Sequence, residues 1–106
     1  MIKGNCDRPI LMEEMKGVGI IEGWIVSDSN IKELDLYVDE KREGNPTYGF
    51  ERADVCRDYP EIQNSGKSGF RHFLKTTDLQ NGKHIIEIRA SNIKDETIWF
   101  RGKVSS

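Results

Sequence analysis

The chain has 106 residues, of which 36% are hydrophobic and 32% are charged. This size and balance predict one domain, residues 1–106, with a single modest core, and they exclude a disordered chain. Lys and Arg total 16 against 18 Asp and Glu, so the formal net charge is −2. Because nucleic-acid-binding proteins usually carry a basic face, nucleic acid is not expected as a partner.

About seven short β-like runs follow one another along the chain, separated by turn signals. Long helical periodicity is absent from the sequence, and frequent turns between short strands are typical of an antiparallel sandwich or barrel. The runs are Met1–Asn5, Gly17–Ser27, Ile31–Glu40, Thr47–Phe50, Phe70–Thr76, Lys83–Ala90 and Thr97–Val104.

Alternation within these runs predicts which side chains form the core. In "IKELDLYVDE", Leu36 and Val38 share one face while Tyr37 takes the other, as in a half-buried strand. The segment "KREGNP" after it is predicted to be a turn, with Gly44 free to adopt positive φ. The predicted core members are Leu36, Val38, Ile86, Ile88, Phe70 and Trp24.

The stretch "TYGFERADVCRDYP", Thr47–Pro60, raises a choice between structure and chemistry. In the structural hypothesis, Asp54 caps a short helical turn near Asp54–Tyr59 and Arg52 compensates its charge. Tyr59 and Pro60 then close the turn, because the residue before a proline is pushed out of the helical region.

The alternative hypothesis makes Asp54 and Asp58 the paired carboxylates of a glycan hydrolase. Such a pair needs one carboxyl group whose pKa is raised. Arg52 and Arg57 lie nearby in the sequence and favour the ionised form of both carboxylates. We therefore expect no catalytic residue in this stretch, and no enzyme activity.

Four residues are candidates for contacts with a ligand. Three of them are Trp99, Arg101 and Tyr37. Trp99 and Arg101 share one face of their strand, and Tyr37 lies on the polar face of its own strand, so all three side chains are expected at the surface. Tyr48, beside the helical turn, is the fourth candidate. Trp24 follows Gly23 in an apolar strand and is expected to be structural instead.

Cysteine and histidine spacing predicts neither a metal site nor a cofactor. Cys6 and Cys56 stand fifty residues apart without CxxC spacing, and we expect two reduced thiols. His84, opposite Ile86, is expected to be a structural histidine. No run approaches the roughly 20 apolar residues that a transmembrane helix requires.

The pattern "GWIVSD…LDLYVDEK…YGFERADVCRDYP…NSGKSGF…NGKHIIEIRA" resembles a bacterial immunoglobulin-like accessory module. Such modules are appended to glycosyltransferases, methyltransferases and cell-surface carbohydrate-active proteins. The resemblance covers nearly the whole chain. It departs at Cys56, where a small residue is usual, and at Glu40, where glycine is expected after Asp39.

The resemblance implies an immunoglobulin-like sandwich of about seven strands that is non-catalytic and has no cofactor. It implies a carbohydrate-related role, in which the module binds glycan or positions a neighbouring catalytic domain. A protein-interaction or spacer domain without a small-molecule ligand is the alternative. The sequence shows no signal peptide, so we expect a cytoplasmic protein if the chain is full-length, and otherwise a fragment of a larger bacterial protein.

Overall fold

The computed structural model describes residues 1–8, 13–14, 17–75, 79–80 and 82–105. Within these residues the chain forms an all-β sandwich, which confirms the predicted fold class. A six-residue helix, α1 (Ala53–Asp58), and a 3-10 turn at Ser65–Lys67 lie between the sixth and the seventh strand. The strands are β1 Ile2–Arg8, β2 Glu13–Glu14, β3 Val18–Ser27, β4 Ile31–Val38, β5 Lys41–Gly44, β6 Thr47–Phe50, β7 Gly69–Lys75, β8 Lys83–Asn92 and β9 Thr97–Ser105.

The strands form two sheets. The four-stranded sheet has the order β1-β3-β7-β6, and the five-stranded sheet has the order β2-β9-β8-β4-β5. This arrangement matches the ABED and GFC sheets of immunoglobulin domains, with β5 and β2 added at the two edges of the second sheet. The N-terminal segment contributes to both sheets, because β1 pairs antiparallel with β3 while β2 pairs parallel with β9.

The main core lies between the two sheets. Five of the six predicted core residues belong to it, and Ile25 and Leu36 in its centre have no exposed surface. Its buried members are Ile21, Ile25, Leu34, Leu36, Val38, Phe70, Leu74, Ile86, Ile88, Ala90 and Val104.

Trp24 is the exception, and its prediction as a member of this core is wrong. Gly23 takes the inward position: a Cβ there would lie 2.1 Å from the Asn5 carbonyl oxygen and 2.8 Å from the Phe70 ring. Strand alternation therefore places Trp24 on the outer face of the four-stranded sheet. There its ring lies 5.7 Å from that of Tyr59, in a second cluster that α1 covers.

The predicted turn "KREGNP" is also corrected. Lys41–Gly44 forms β5, and the chain reverses one step earlier, at Asp39 and Glu40, which have φ values of 50° and 70°. Two positive φ angles are typical of a tight type I′ hairpin, where glycine is favoured at the second position. Glu40 occupies that position here, so the hairpin forms without the expected glycine.

Two edge strands are short: β5, which follows this hairpin turn, and β6, which precedes α1. All three residues that precede Gly44 in β5 are charged: Lys41, Arg42 and Glu43. On the other sheet, β6 contains Gly49 at φ 112°, and its pairing with β7 shifts register between Tyr48 and Phe50.

Asp39 fastens the hairpin to β8 through His84. One carboxylate oxygen accepts the Ile85 backbone N–H at 2.9 Å, and the other lies 2.5 Å from His84 Nδ1. His84 Nε2 lies 2.6 Å from the Gln80 carbonyl oxygen. Since both partners of this buried ring are acceptors, both ring nitrogens donate, which is the protonated form of histidine. The hydrogen bond with Asp39 contributes most to raising the pKa of His84, and the hydrogen bond with Gln80 adds to it.

Truncation of Ile88 tests the core. Its side chain is 1% exposed, and Ile88→Ala should lower the free energy of unfolding by about 2–5 kcal/mol, as core deletions do. Ile85 on the same strand is 44% exposed and gives the matched control, Ile85→Ala, with an expected change within about 0.5 kcal/mol. Chemical denaturation of both variants measures the difference, and equal losses would contradict the register described above.

The pKa values of the two histidines should be shifted in opposite directions from the ordinary value of 6.5. The pKa of His84 is raised, so its stabilising contribution is complete below 6.5 and is lost as pH rises through the folded-state value. Burial lowers the pKa of His72, so its contribution is present above 6.5 and is lost as pH falls. An NMR titration of both imidazoles checks the two signs. A pKa of His84 at or below 6.5 would contradict the Asp39 contact.

Candidate functional site

The outer face of the five-stranded sheet brings together three of the four predicted ligand residues. Because Ile86 and Ile88 face the core, the alternate residues of β8 point outward. In the strand register Glu87 pairs with Tyr37 on one side and with Arg101 on the other, and Arg89 pairs with Trp99. We call this group the aromatic–arginine platform; its members are Tyr37, Glu87, Arg89, Trp99 and Arg101.

Charge-assisted hydrogen bonds hold the platform in place. Arg89 Nε donates to Glu87 at 2.5 Å, and Arg101 Nη2 donates to the other Glu87 oxygen at 3.1 Å. Arg89, and after it Arg101, lowers the pKa of the Glu87 carboxyl group, which stays ionised. The Arg89 guanidinium also lies 4.1 Å from the centre of the Tyr37 ring. Fixed side chains of this kind lose little conformational freedom when a ligand binds.

The two aromatic rings of the platform differ in access. Trp99 is 60% exposed, while Tyr37 is half-buried and the Arg89 guanidinium stacks over its ring. Trp99 therefore offers the open ring. A shallow hollow of about 280 Å³ adjoins the platform and is lined by Asp39, Glu40, Ile85, Glu87 and Arg101.

Tyr48, the fourth candidate, does not belong to this group. It lies on β6 in the other sheet, where its hydroxyl donates to the Ile25 carbonyl oxygen at 2.7 Å. Burial raises the pKa of its phenol. Tyr48 lines a separate cleft at the end of the sandwich where β3 passes into β4.

Sequence reasoning missed Glu87 and Arg89 as members of the site. Both lie on β8, a central strand of its sheet, and Glu87 is buried beneath its two arginine partners. The alternation in "HIIEIRA" carries the signal, since it points Glu87 and Arg89 away from a core that contains Ile86 and Ile88.

Arg52 joins β1, α1 and the 3-10 turn at Ser65–Lys67. Its guanidinium pairs with both Asp54 oxygens, at 3.0 Å and 2.8 Å, and with Asp7 on β1 at 2.8 Å. Its backbone N–H donates to the Gly66 carbonyl oxygen at 2.8 Å. Charge compensation of Asp54 by Arg52 is therefore present in the structure, and the stretch ties α1 to the sheet.

Asp54 is not the N-cap residue of α1, although hydrogen bonds from Arg52, and after them from the backbone N–H groups of Val55 and Asp54, lower the pKa of its carboxyl group. The residue before the first turn of α1 is Arg52, and its side chain makes no capping hydrogen bond. Asp54 lies two positions beyond the N-cap, and its carboxylate turns back to the Arg52 guanidinium. Tyr59 closes the helix as expected, through its backbone N–H, which donates to the Val55 carbonyl oxygen at 2.9 Å.

The electrostatics of Asp54 oppose the hydrolase hypothesis. Hydrogen bonds from Arg52 lower the pKa of its carboxyl group to about 2. A general acid needs the opposite shift. The side chains of Asp54 and Asp58 are both exposed, and neither lies in a water-excluding cleft of the described residues.

The two cysteines do not form a disulfide, and the described ranges contain no metal-binding cluster. Cys6 and Cys56 are free thiols, and burial raises the pKa of Cys6 to about 11. No group of three or more His, Cys, Asp or Glu side chains in the described ranges is arranged to hold a metal ion. Neither helical segment of the described residues has the length and apolar character that a bilayer crossing requires.

The chain is similar to known proteins in structure, and no sequence match accompanies this similarity. No protein-family model and no curated protein sequence matches it. An endo-beta-1,4-mannanase from Thermotoga petrophila aligns over 97% of this chain and 19% of its own, with 15% identity and a TM-score of 0.66. Fibronectin(III)-like modules of CbhA from Clostridium thermocellum align over 98% of this chain and 45% of theirs, with 15% identity and a TM-score of 0.61.

These similarities establish the fold. The chain shares its β-sandwich fold with part of the mannanase chain and with the fibronectin(III)-like modules. It spans about a fifth of the mannanase chain and less than half of the CbhA chain. At 15% identity the alignments support the architecture and carry no site residue across.

Replacement of Arg52 and Asp54 should affect stability and leave the platform intact. Arg52→Ala removes two ion pairs and should lower the free energy of unfolding by about 0.5–2 kcal/mol. Asp54→Ala should cost less, because the pair of Arg52 with Asp7 remains. Arg57→Ala, on the same helix and without a partner among the described residues, is the matched control. If Arg52→Ala melts like the Arg57→Ala control, the anchoring role is wrong.

Proposed function

We propose that this chain is a non-catalytic accessory module that binds glycan on the aromatic–arginine platform and serves a neighbouring carbohydrate-active domain. The observation that carries the proposal is the 60% exposure of Trp99 beside a fixed network of charged donors and acceptors. An exposed indole makes no contribution to the core, and its apolar surface is in contact with water in the free protein.

The platform has the chemistry that a sugar ring requires. One face of the Trp99 indole is available to the C–H groups of a pyranose, which pack against an aromatic ring as other apolar groups do. Arg101 uses Nε and Nη2 for Glu87, at 3.3 Å and 3.1 Å, so its remaining terminal nitrogen can donate to sugar hydroxyls. Because Glu87 already fixes this guanidinium, the donor is oriented before the ligand arrives.

The structural comparisons support an accessory role. One similar structure is an endo-beta-1,4-mannanase that is several times longer than this chain, and the other consists of fibronectin(III)-like modules. A sandwich of this size within a longer carbohydrate-active protein would place the platform beside a catalytic domain. Glycan held there would raise the local concentration of substrate.

Trp99→Ala tests the proposal. A glycan array identifies the ligand, with β-1,4-mannan and β-1,4-glucan oligosaccharides as the first probes, and calorimetry then measures the affinity. Loss of the stacking ring should weaken binding by about tenfold or more, as at other aromatic hot spots. Melting curves should be unchanged, because the ring lies outside both cores.

Phe73→Ala provides the matched control. Phe73 is 61% exposed on the outer face of the opposite sheet, so it equals Trp99 in access and differs in surroundings. Its loss should leave glycan affinity unchanged. Equal effects of the two substitutions, or a glycan array without any signal, would contradict the proposal.

A second candidate function is the positioning of an adjoining domain. Val18 and Phe73, 57% and 61% exposed, lie with Ile20 on the end of the four-stranded sheet that α1 leaves open. Exposed apolar patches of this kind mark contact surfaces. If this second function holds, Phe73→Ala should increase hydrogen exchange of the β3 and β7 amides in a protein that contains both this domain and its catalytic neighbour. Trp99→Ala should not increase it.

A further inference from the structure

A cleft of about 390 Å³ opens at the end of the sandwich where β3 passes into β4. It lies between the β3–β4 turn and the segment that follows α1. Its apolar floor consists of Val26, Ile31 and Ile62, of which the first and last are buried. The volume falls within the range of small-ligand sites, about 300–1,000 Å³, and accommodates a pyranose ring.

The backbone and the aromatic wall of this cleft are held in place. The Tyr48 hydroxyl donates to the Ile25 carbonyl oxygen, which fixes the ring at the rim. The Asn30 carbonyl oxygen accepts the Ile93 backbone N–H at 2.9 Å, and the Asn64 carbonyl oxygen accepts that of Lys67 at 3.0 Å. Both walls therefore have a defined shape without a ligand.

The polar side chains on these walls are available for binding. The amides of Asn30 and Asn64 and the ammonium of Lys67 line the cleft and make no hydrogen bond or ion pair within the described residues. This contrasts with the platform, where Arg89 and Arg101 both donate to Glu87. Asp28, in the turn beside the cleft, is occupied by the N-terminal amine and by Lys94. Lys67 thus leaves the lining with a net positive charge in a chain of net charge −2.

We infer that this cleft is a separate saccharide subsite, selective for a sugar that carries a carboxylate, such as a uronic acid residue. The ring packs on the apolar floor against Tyr48, the two asparagine amides bind hydroxyl groups, and Lys67 pairs with the carboxylate. The inference does not depend on glycan binding at the platform, since the two surfaces share no residue.

Two ligands that differ only in the carboxylate test the subsite: methyl β-glucuronide and methyl β-glucoside. Each is titrated into the intact chain and followed by amide chemical shifts. We expect the glucuronide to shift the amides of Ser29, Asn30, Asn64 and Lys67 and to bind more tightly. Lys67→Gln should reduce its affinity by about three- to fivefold and abolish the preference over the glucoside. Lys41→Gln, on β5, is the matched control and should change neither.

Each outcome decides a different part of the inference. Asn64→Ala should weaken both ligands while the melting temperature stays constant, since its side chain is exposed. Equal affinity for the two ligands would overturn the selectivity, and shifts absent from the cleft would overturn the site. Acetate that binds as tightly as the glucuronide would overturn the saccharide in favour of a simple anion. Trp99→Ala should have no effect on any of these titrations, which separates the subsite from the platform.

Discussion

The packing of Leu36, Ile88 and Ile25 between the sheets fixes the register of the strands, and the surfaces of the protein follow from that register. A strand that buries Ile86 and Ile88 must point Glu87 and Arg89 outward, since a shift by one residue would exchange the two faces. The platform is thus a consequence of the core. Its carboxylate and its guanidinium groups meet because the strands that carry them are aligned by apolar contacts on the opposite side of the sheet.

The two outer faces are used differently. On the four-stranded sheet, Trp24 and Tyr59 pack under α1, and Arg52 ties that helix to β1 through Asp7. On the five-stranded sheet no helix of the described residues covers Trp99, and polar side chains bind one another around it. The two tryptophans therefore differ in surroundings: Trp24 completes a second core, and Trp99 is 60% exposed.

Much of this fold can be predicted from the sequence, because strand alternation is a local signal. The runs around Leu36 and Ile88 are sufficient to predict two half-buried strands, and frequent turns then favour a sandwich. The sequence pattern predicts the wrong core for Trp24, because it does not reveal that Gly23 takes the inward position. Since Gly23 has no side chain, the Phe70 ring can pack against its backbone. The partner of Arg52 in β1, 45 residues away in the chain, and the Glu87 network depend on pairing between distant strands, which no local pattern contains.

The short edge strands determine how this protein can meet others of its kind. An open strand edge is a template for a second chain, and long, flat, apolar edges lead to aggregation. Here β5 offers Lys41, Arg42 and Glu43, while β6 is interrupted by Gly49 and its irregular register. A second sheet cannot extend either edge without burying these charges or straightening that distortion. Neighbouring copies of this domain, as in a chain with repeated domains, would therefore not pair through these two edges.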